Sequence, residues 1–346
     1  MAITRHPKPL CGLLFVLLLL GYVQAQQLTH RKVDFCGASG KCASISELTA
    51  VNDNGASAGQ YQIHVPNSYD PKQEWFDLNT IGPGFLSYLG YVSSSKGLTR
   101  IVGPLSRGYE IHMIGINNHG HALVQQNFRG VHYFIYDLGS GSFTPLSLYG
   151  QLTGSGPTQP VNLKYLTGLN DREEVFGVYP TPHGPCAAYG RPALGAPGGM
   201  TPPSGSGAFA LIGCPPPSRG RPITIRSSNN EGQIAGEAGN HGFLWSAGTM
   251  TDLLYPSAAN TQAFAINNSG IVVGRYQPAP DPKTGDIFQK GFVYDGRQFR
   301  TIDFPDALTV TAWNISNRQI VGSYRDRATG TYHGFQISIA ALLEQP

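Results

Sequence analysis

Short apolar segments alternate with turns rich in Asn and Gly along most of this chain. In residues 265–276, AINNSGIVVGRY, one strand reaches the Asn pair, Asn-Asn-x-Gly forms the turn and a second, apolar strand leaves it. Asn and Gly suit such a turn because they tolerate positive φ and because the Asn side chain can close an Asx turn. Three successive apolar residues, 271–273, indicate that the outgoing strand is covered on both faces. The segment is therefore predicted to be a β-hairpin.

The hairpin pattern occurs six times. Residues 50–61, AVNDNGASAGQY, align with residues 265–276 without a gap and share five identical residues with them. The other copies are GINNHGHALVQQ (115–126), GLNDREEVFGVY (168–179), SSNNEGQIAGEA (227–238) and the degenerate AWNISNRQIVGSY (312–324). A glycine recurs in the outgoing strand, where it predicts a bulge or the close approach of a neighbouring sheet. These glycines are Gly59, Gly177, Gly236, Gly274 and Gly322.

A second predicted hairpin follows the first after a gap of variable length. Examples are VHYFIYDLGSGSFTPLS (131–147), HGFLWSAGTMTDLLYP (241–256) and KGFVYDGRQFRTIDFP (290–305). One unit thus contains about four strands, and the shortest period, from Asn229 to Asn267, is 38 residues. Four short strands at a period of about 40 residues are typical of a propeller blade. The predicted fold class is all-β, a β-propeller of about six four-stranded blades.

The two ends of the chain complement each other. The last unit ends as YHGFQISIAALLEQP, which supplies an aromatic strand but no outer partner for it. Residues 30–37, HRKVDFCG, resemble the outer strand FRTIDFPD at residues 299–306. We therefore predict that the N-terminal strand completes the last blade and closes the ring, which removes unpaired strand edges.

The string Gly55-Ala56-Ser57-Ala58-Gly59 matches the G-x-S-x-G pattern that surrounds the nucleophile of many serine hydrolases. That nucleophile requires a sharp turn between a strand and a helix, whereas the residues after Ser57 continue a strand. Ser57 is therefore interpreted as one position of the repeat. No catalytic, cofactor-binding or metal-binding residue is predicted, and no cofactor is expected.

The start of the chain and its composition predict export. Residues 1–25 combine a basic start, an apolar run and a small-residue cleavage pattern, which together are typical of a signal peptide. Cleavage leaves residues 26–346 as one predicted propeller domain, with inserts at about 62–110 and 180–222. The formal charge of +3 then falls to about +1, because Arg5 and Lys8 are lost. Such a balanced chain does not predict a nucleic-acid or membrane-surface binder. We expect a monomer, extracellular or periplasmic, without a membrane span after cleavage.

Four cysteines remain outside the predicted signal peptide. An even number of cysteines in an oxidising compartment predicts two disulfides, for which three pairings are possible. Proximity along the chain favours Cys36–Cys42 and Cys186–Cys214. Metal binding is less favoured, since the sequence has no C-x-x-C spacing and no histidines clustered beside these positions.

The repeats resemble those of bacterial extracellular proteins of the HAF-repeat family. Such proteins carry a frame similar to IN-x-x-G-x-VVG, followed by His-Ala-Phe and an aromatic strand. The signature here reads His132-Tyr133-Phe134, His241-Gly242-Phe243 and His333-Gly334-Phe335, with Lys290-Gly291-Phe292 and Gly207-Ala208-Phe209 as departures from it. The resemblance covers most of residues 45–338 and is strongest after residue 220. It implies a secreted bacterial protein and no particular activity.

Two sets of repeated residues are candidates for function. A tyrosine ends the second strand of several units, either as an aromatic platform for sugars or as packing between blades. These tyrosines are Tyr61, Tyr179, Tyr276 and Tyr324. The signature histidines are interpreted as structural residues that hydrogen-bond across a hairpin, since metal binding requires three or four converging donors.

The leading functional hypothesis is a non-catalytic, exported propeller that binds an unidentified glycan or protein through loops on one face of the ring. One alternative is a propeller enzyme, a hydrolase or lyase that acts on polysaccharide. A second alternative is a structural component of the cell surface. Two carboxyl groups within about 5–10 Å in a central cleft would favour the hydrolase, and an aromatic, uncharged face would favour binding.

Overall fold

The computed structural model describes residues 30–36, 42–43, 45–66, 84–101, 103–105, 110–127, 129–153, 159–193, 207–216, 222–280 and 285–343. The predicted signal peptide, residues 1–25, lies outside them. The elements are β1 (Arg31–Val33), β2 (Ser46–Val51), β3 (Ser57–Pro66), β4 (Gly84–Ser94), β5 (Gly97–Ile101), β6 (Ile111–Ile116), β7 (His121–Asn127), β8 (Val131–Asp137), β9 (Phe143–Leu146), β10 (Tyr149–Thr153), β11 (Gln159–Asn162), β12 (Tyr165–Leu169), β13 (Val175–Thr181), β14 (Gly184–Arg191), β15 (Gly207–Gly213), β16 (Ile223–Ser228), β17 (Ile234–Ala238), β18 (His241–Ser246), β19 (Thr249–Leu253), β20 (Asn260–Ile266), β21 (Val272–Gln277), β22 (Lys290–Tyr294), β23 (Phe299–Ile302), β24 (Ala307–Ile315), β25 (Gln319–Asp326), β26 (Tyr332–Ser338) and the helix α1 (Ile339–Leu343). Within these ranges, no helix is long and apolar enough to cross a membrane.

The strands form six sheets that follow one another around an axis. From the inner to the outer strand, blades 1 to 6 are β2-β3-β4-β5, β6-β7-β8-β9, β12-β13-β14-β15, β16-β17-β18-β19, β20-β21-β22-β23 and β24-β25-β26-β1. The inner strand of each blade contacts that of the next blade, and β24 of blade 6 contacts β2 of blade 1. The ring is therefore closed, and the predicted six-bladed β-propeller is confirmed.

The N-terminal strand completes blade 6, as predicted. Residues Arg31–Val33 pair antiparallel with β26. Just after this strand, a carboxylate oxygen of Asp34 lies 2.9 Å from Nδ1 of His333, and both side chains are 10% exposed. Phe35 then stacks on Tyr61 of blade 1, with 3.9 Å between the ring centroids. These first residues thus join the last blade to the first.

The turn asparagines connect each blade to the next and form a ring that we call the Asn belt (Asn52, Asn117, Asn170, Asn229 and Asn267). Each Nδ2 donates a hydrogen bond to the following blade. These bonds are Asn52 Nδ2 to Asn117 O (2.9 Å), Asn117 Nδ2 to Asn170 O (3.2 Å), Asn170 Nδ2 to Asn230 Oδ1 (2.8 Å), Asn229 Nδ2 to Asn267 O (2.8 Å) and Asn267 Nδ2 to Ser316 O (3.0 Å). Between blades 6 and 1, the Asn317 N–H donates to Asp53 Oδ1 at 2.7 Å. The repeated Asn therefore joins five successive pairs of blades as well as closing its own turn, and the Asn317–Asp53 bond links the sixth pair.

Replacing Asn267 with Asp tests the link between blades without removing the turn. Asn267 Oδ1 accepts hydrogen bonds from the backbone N–H groups of Ser269 and Ile271, both at 3.0 Å, and a carboxylate can accept the same bonds. The donor to Ser316 O is lost, and a carboxylate oxygen then faces a carbonyl oxygen. We expect Asn267→Asp to lower the free energy of unfolding by about 1–3 kcal/mol, measured by urea titration at neutral pH. Asn268→Asp at the neighbouring exposed position is the control, and an equal loss there would contradict the role of the belt.

The His-Gly-Phe signature has a structural role inside the blades. An aromatic residue at its third position is buried in five blades: Tyr91, Phe134, Phe243, Phe292 and Phe335. In blade 3 the equivalent residue of the third strand is Ala188, and the predicted match at Gly207-Ala208-Phe209 is wrong, because it lies on the fourth strand. In three blades the first position is a His or Lys on the third strand that pairs with an Asp from the fourth strand: His241–Asp252 (3.5 Å), Lys290–Asp303 and His333–Asp34 (2.9 Å). The interpretation as structural, hydrogen-bonding residues fits His333, whereas Nδ1 of His241 is buried near Asp252 without a hydrogen bond.

Residues 62–110 and 180–222 were predicted to be inserts, but both segments contain strands of the blades. Strands β4 and β5 lie within residues 62–110, and β14 and β15 lie within residues 180–222. Prolines are tolerated in the second segment because Pro180 and Pro185 face each other at the end of a hairpin. Blade 3 also has two more strands than predicted, since β10 pairs in parallel with β15 and β11 pairs with β10. The repeat pattern missed these strands because they do not carry the turn frame.

The two disulfides have the pairing that proximity favours. Cys36 is bonded to Cys42, directly after the strand that closes the ring. Cys186 on β14 is bonded to Cys214, the residue after β15, and this bond closes a loop with a sequence separation of 28 residues. The second disulfide therefore links the third and fourth strands of blade 3 to each other.

Candidate functional site at the wide end of the channel

A channel with two unequal ends follows the propeller axis. The narrow end, beside the Asn belt, is a cavity of about 150 Å³. The wide end is a cavity of about 950 Å³, a size typical of small-molecule sites. Both cavities are lined by Ile114, Thr167, Ser227 and Asn314, so they are two ends of one channel. The wide end is the candidate functional site.

One β-bulge in each inner strand places a side chain in this wide end. The pairing register of every inner strand with its neighbour shifts by one residue at the same level of the propeller. Bulges of this kind re-aim a side chain and are common beside active sites. The bulged residues are Thr49, Ile114, Thr167, Arg226, Phe264 and Trp313, and all six line the cavity. We call this set the bulge ring.

Blades 4 to 6 give the bulge ring a cationic and aromatic half. The rings of Phe264 and Trp313 lie 4.8 Å apart between centroids. The Arg226 guanidinium carbon lies 5.8 Å from the centroid of Phe264, and that of Arg275 lies 5.5 Å from it. Both distances are within the range of a cation–π interaction. Arg226 also pairs with Glu237 at 2.9 Å, and its side chain is 45% exposed.

The pKa of Arg275 reflects this crowding. It is lowered because burial disfavours the charged form; the carboxylate of Glu237 opposes the shift, and the nearby Arg226 cation adds to it. Arg275 Nε donates a hydrogen bond to Gln262 at 2.7 Å, and Gln262 donates in turn to Glu237 at 3.1 Å. The carboxylate of Glu237 therefore interacts directly with Arg226 and, through Gln262, with Arg275. One negative charge beside two positive charges leaves an excess of positive charge on this side of the channel.

On the opposite side, across blades 2, 1 and 6, a hydrogen-bonded network runs from the lining residues Gln60, His112 and Trp313 to Glu47 and Ser323, which lie behind the lining. His112 Nδ1 lies 2.7 Å from Gln60 Oε1, and Gln60 Nε2 donates to the Glu47 carboxylate at 3.0 Å. Burial raises the pKa of Glu47, while hydrogen bonds from Gln60 and Ser323 oppose that shift. Trp313 Nε1 donates to Ser323 Oγ at 2.9 Å, which connects this network to the aromatic half. The network holds Trp313 in position.

The charged residues that line the wide end are all basic. Among the described lining residues, Lys164 and Arg226 carry positive charge, His112 is titratable, and none is Asp or Glu. Lys164 lies on blade 3, next to the blade that carries Arg226, and both are exposed. The site therefore combines a cationic segment with an aromatic segment, and this combination is suited to binding a ligand that carries both an anionic group and apolar faces.

None of the four candidate tyrosines is among the described residues that line this cavity. Tyr61, Tyr276 and Tyr324 are buried in the blades, with 4%, 6% and 2% of their surface exposed. Tyr276 stacks on Tyr255 at 3.7 Å, and burial raises its pKa to about 12. Tyr179 is half-buried beside a cavity near β11 that shares Lys164, Pro180 and Thr181 with the wide end. The packing interpretation fits the three buried residues, and a role of any of the four in ligand binding stays a prediction.

Ser57 has the position that the repeat predicts. It is the first residue of β3 and is fully buried, so its hydroxyl has no solvent-facing surface. A strand follows it, and the turn between strand and helix that a nucleophile of this type requires is absent at this position.

Sequence reasoning missed the bulge ring. Its members lie three residues before the turn residue in every copy, from Thr49 before Asn52 to Trp313 before Ser316. The sequence signal that could have identified these residues is that this position of the repeat differs in residue type from copy to copy, while the turn positions beside it stay similar. The positions that recur with the same residue type are instead those of the tyrosines and histidines, and Tyr61, Tyr276 and Tyr324 among them are buried in the blades.

No protein-family model matches this chain, and no curated protein matches it. Solved structures of other propellers are similar in fold. They include the β-propeller domain of the Trilobed protease from Pyrococcus furiosus, with 10% identity over 82% of this chain and 78% of that chain and a TM-score of 0.35. Hadza microbial sialidase Hz136 covers 91% and 69% at 10% identity and a TM-score of 0.41. YCF48 bound to D1 peptide covers 89% and 96% at 9% identity and a TM-score of 0.40. Such distant similarity does not bear on function.

Proposed function

We propose that this protein is a secreted, non-catalytic β-propeller that binds a glycan or protein partner at the wide end of its channel. The observation that carries the proposal is the bulge ring, which places Arg226, Phe264 and Trp313 side by side in a concave cavity. Side chains held by strands are positioned more accurately than side chains on loops. The proposed site thus lies on the inner strands, whereas the sequence predicted binding through loops on one face of the ring.

A glycan is favoured over a protein. A standard protein interface buries about 800 Å² on each partner, whereas the aromatic and charged groups here are gathered inside the cavity. Aromatic rings such as those of Phe264 and Trp313 can pack against the apolar faces of sugar rings, and polar groups at the edge can bind hydroxyls. The alternative of a polysaccharide hydrolase calls for two carboxyl groups in the cleft, and the described lining residues supply none.

We also propose that the chain is exported and that it belongs to the HAF-repeat proteins. The two disulfides support an oxidising compartment. The repeated turn frame and the His-Gly-Phe signature support the family.

A glycan-array screen of the mature chain, with a hydrolysis assay on every bound glycan, tests the function. We expect binding without cleavage. Trp313→Ala is expected to weaken binding at least about tenfold, since aromatic anchors dominate such sites. Trp245→Ala is the matched control, because Trp245 packs against blade 3 near Gly213 and does not line the cavity.

Three outcomes would contradict the proposal. One is the absence of any bound glycan or protein, and a second is cleavage of a bound glycan. The third is an affinity that falls equally in the two tryptophan variants. Circular dichroism of both variants verifies that each is folded.

A further inference from the structure

We infer that the ligand of the wide end is an anionic saccharide, whose carboxylate or sulfate group binds between Lys164 and Arg226 while its sugar rings contact Phe264 and Trp313. This inference rests on the proposed function and specifies the chemical class of its ligand.

Charge at the cavity supports an anionic ligand. Lys164 and Arg226 are exposed, lie on neighbouring blades and line the same cavity, whose described lining contains no carboxylate. The carboxylate of Glu237 is paired with Arg226 and also interacts with a further cation, Arg275. A bound anion would relieve the repulsion between these cations.

This excess of positive charge is local. The chain as a whole carries +3, with 24 basic and 21 acidic residues. The net charge of the chain therefore gives only weak attraction for a polyanion in general. The cations at the cavity select for an anionic group held at one place.

The guanidinium of Arg226 is held ready for this contact. Its Nε is bonded to Glu237 Oε1 at 2.9 Å, and its carbon lies 5.8 Å from the centroid of Phe264. These two contacts restrict the orientation of the group, and its terminal N–H groups match the two oxygens of a carboxylate or sulfate. The aromatic rings of the next two blades then follow at one level of the bulge ring, as a chain of linked sugars requires.

An acidic peptide would satisfy the cations equally well. The half-buried rings of Phe264 and Trp313 favour the saccharide, since both line a concave surface that can face the apolar side of a sugar ring. A peptide of glutamates offers no comparable rigid face.

Calorimetric titration of the mature chain distinguishes these ligands. The probes are a tetramer of galacturonic acid, a sulfated disaccharide repeat, neutral cellotetraose and a glutamate tetrapeptide. We expect at least one anionic saccharide to bind at least about tenfold tighter than cellotetraose and than the peptide, and its affinity to fall with salt.

Removing the two cations should remove this preference. The double substitution Lys164→Gln with Arg226→Gln is expected to weaken binding of the anionic saccharide by about 10–100-fold, the value of a charge-assisted hydrogen bond. Lys96→Gln with Arg297→Gln removes the same charge from exposed outer turns and should change affinity less than about twofold. Arg226→Lys, which keeps the charge, should retain part of the affinity.

Each result has a separate meaning. Tighter binding of the uronate or of the sulfated probe supports the inference and identifies the anionic group. Equal binding of cellotetraose overturns the inference and leaves the proposed function standing. Tighter binding of the glutamate peptide overturns the inference and indicates a protein partner. If no probe and no array glycan binds, both the inference and the glycan reading of the proposed function are wrong.

Discussion

Deleting residues 30–35 is expected to lower the free energy of unfolding by about 5 kcal/mol and to make the protein self-associate. The deletion removes the buried side chains of Val33 and Phe35, and burial of such side chains contributes about 1.5–3 kcal/mol each. It also leaves His333, only 10% exposed, without its Asp34 partner. Strand β26 then becomes an unpaired edge, which is a template for pairing with another chain.

Chemical denaturation and analytical ultracentrifugation measure these two effects. A synthetic peptide of residues 30–35 added to the deletion variant should raise its melting temperature, because it can occupy the empty edge of blade 6. The same peptide with Val33→Asp and Phe35→Asp serves as the control and should have no effect. Unchanged stability of the deletion variant would contradict the closure of the ring by β1.

The pairing of the N-terminal strand with blade 6 could be predicted because the sequences of both segments follow the repeat. Residues 31–35 have the same order of charged, apolar and aromatic positions as the outer strand at 300–304, and the chain end lacked such a strand. The Asp34–His333 pair repeats the pairs Asp303–Lys290 and Asp252–His241 of the neighbouring blades. A repeat thus allows a contact between distant residues to be read from local ones.

The connections between blades were less accessible from the sequence. The Asn at each turn was correctly predicted to close an Asx turn, and Asn267 Oδ1 does accept two backbone N–H groups. Its Nδ2 bond to Ser316 O depends on the angle between adjacent blades, which no local pattern contains. The bulge ring was missed for the same reason, since a bulge is a relation between two strands.

In blade 3 the third and fourth strands could not be predicted from the local sequence. Its outer strands lie among prolines and outside the turn frame, so composition indicated an insert where the structure has β14 and β15. Pairing of these strands depends on partners already fixed by β13 and on the bond between Cys186 and Cys214. Tertiary context there overrides a weak local preference for strand.

The repeated glycine of the second strand permits the closest backbone approach in the blade. A Cβ built on Gly274 would lie 1.9 Å from the carbonyl oxygen of Gln262 and 2.9 Å from the ring of Phe292. Equivalent positions in blades 1, 4 and 6 meet a carbonyl oxygen of the inner strand at 1.9, 2.1 and 2.0 Å. The clash therefore involves backbone beside the bulge, and a rotamer change cannot relieve it. The sequence predicted a bulge at this glycine or the close approach of a neighbouring sheet; the bulged residue lies instead on the inner strand opposite the glycine, and the close neighbour is a strand of the same blade.

Gly274→Ala is accordingly expected to lower the free energy of unfolding by about 3 kcal/mol, because the inner strand must move away or the Phe292 ring must leave its place. Urea titration measures this loss, and weaker saccharide binding should accompany it because the moving strand carries Phe264. Gly248→Ala is the control: that turn glycine has φ +82° and no neighbour within 4 Å of a built Cβ, so only backbone strain of about 1 kcal/mol is expected there. Val124 occupies the equivalent position in blade 2, which supplies the reverse test, since Val124→Gly should destabilise that blade through a lost side chain. Equal losses for Gly274→Ala and Gly248→Ala would mean that the recurring glycine is kept for its backbone freedom and not for the space beside it.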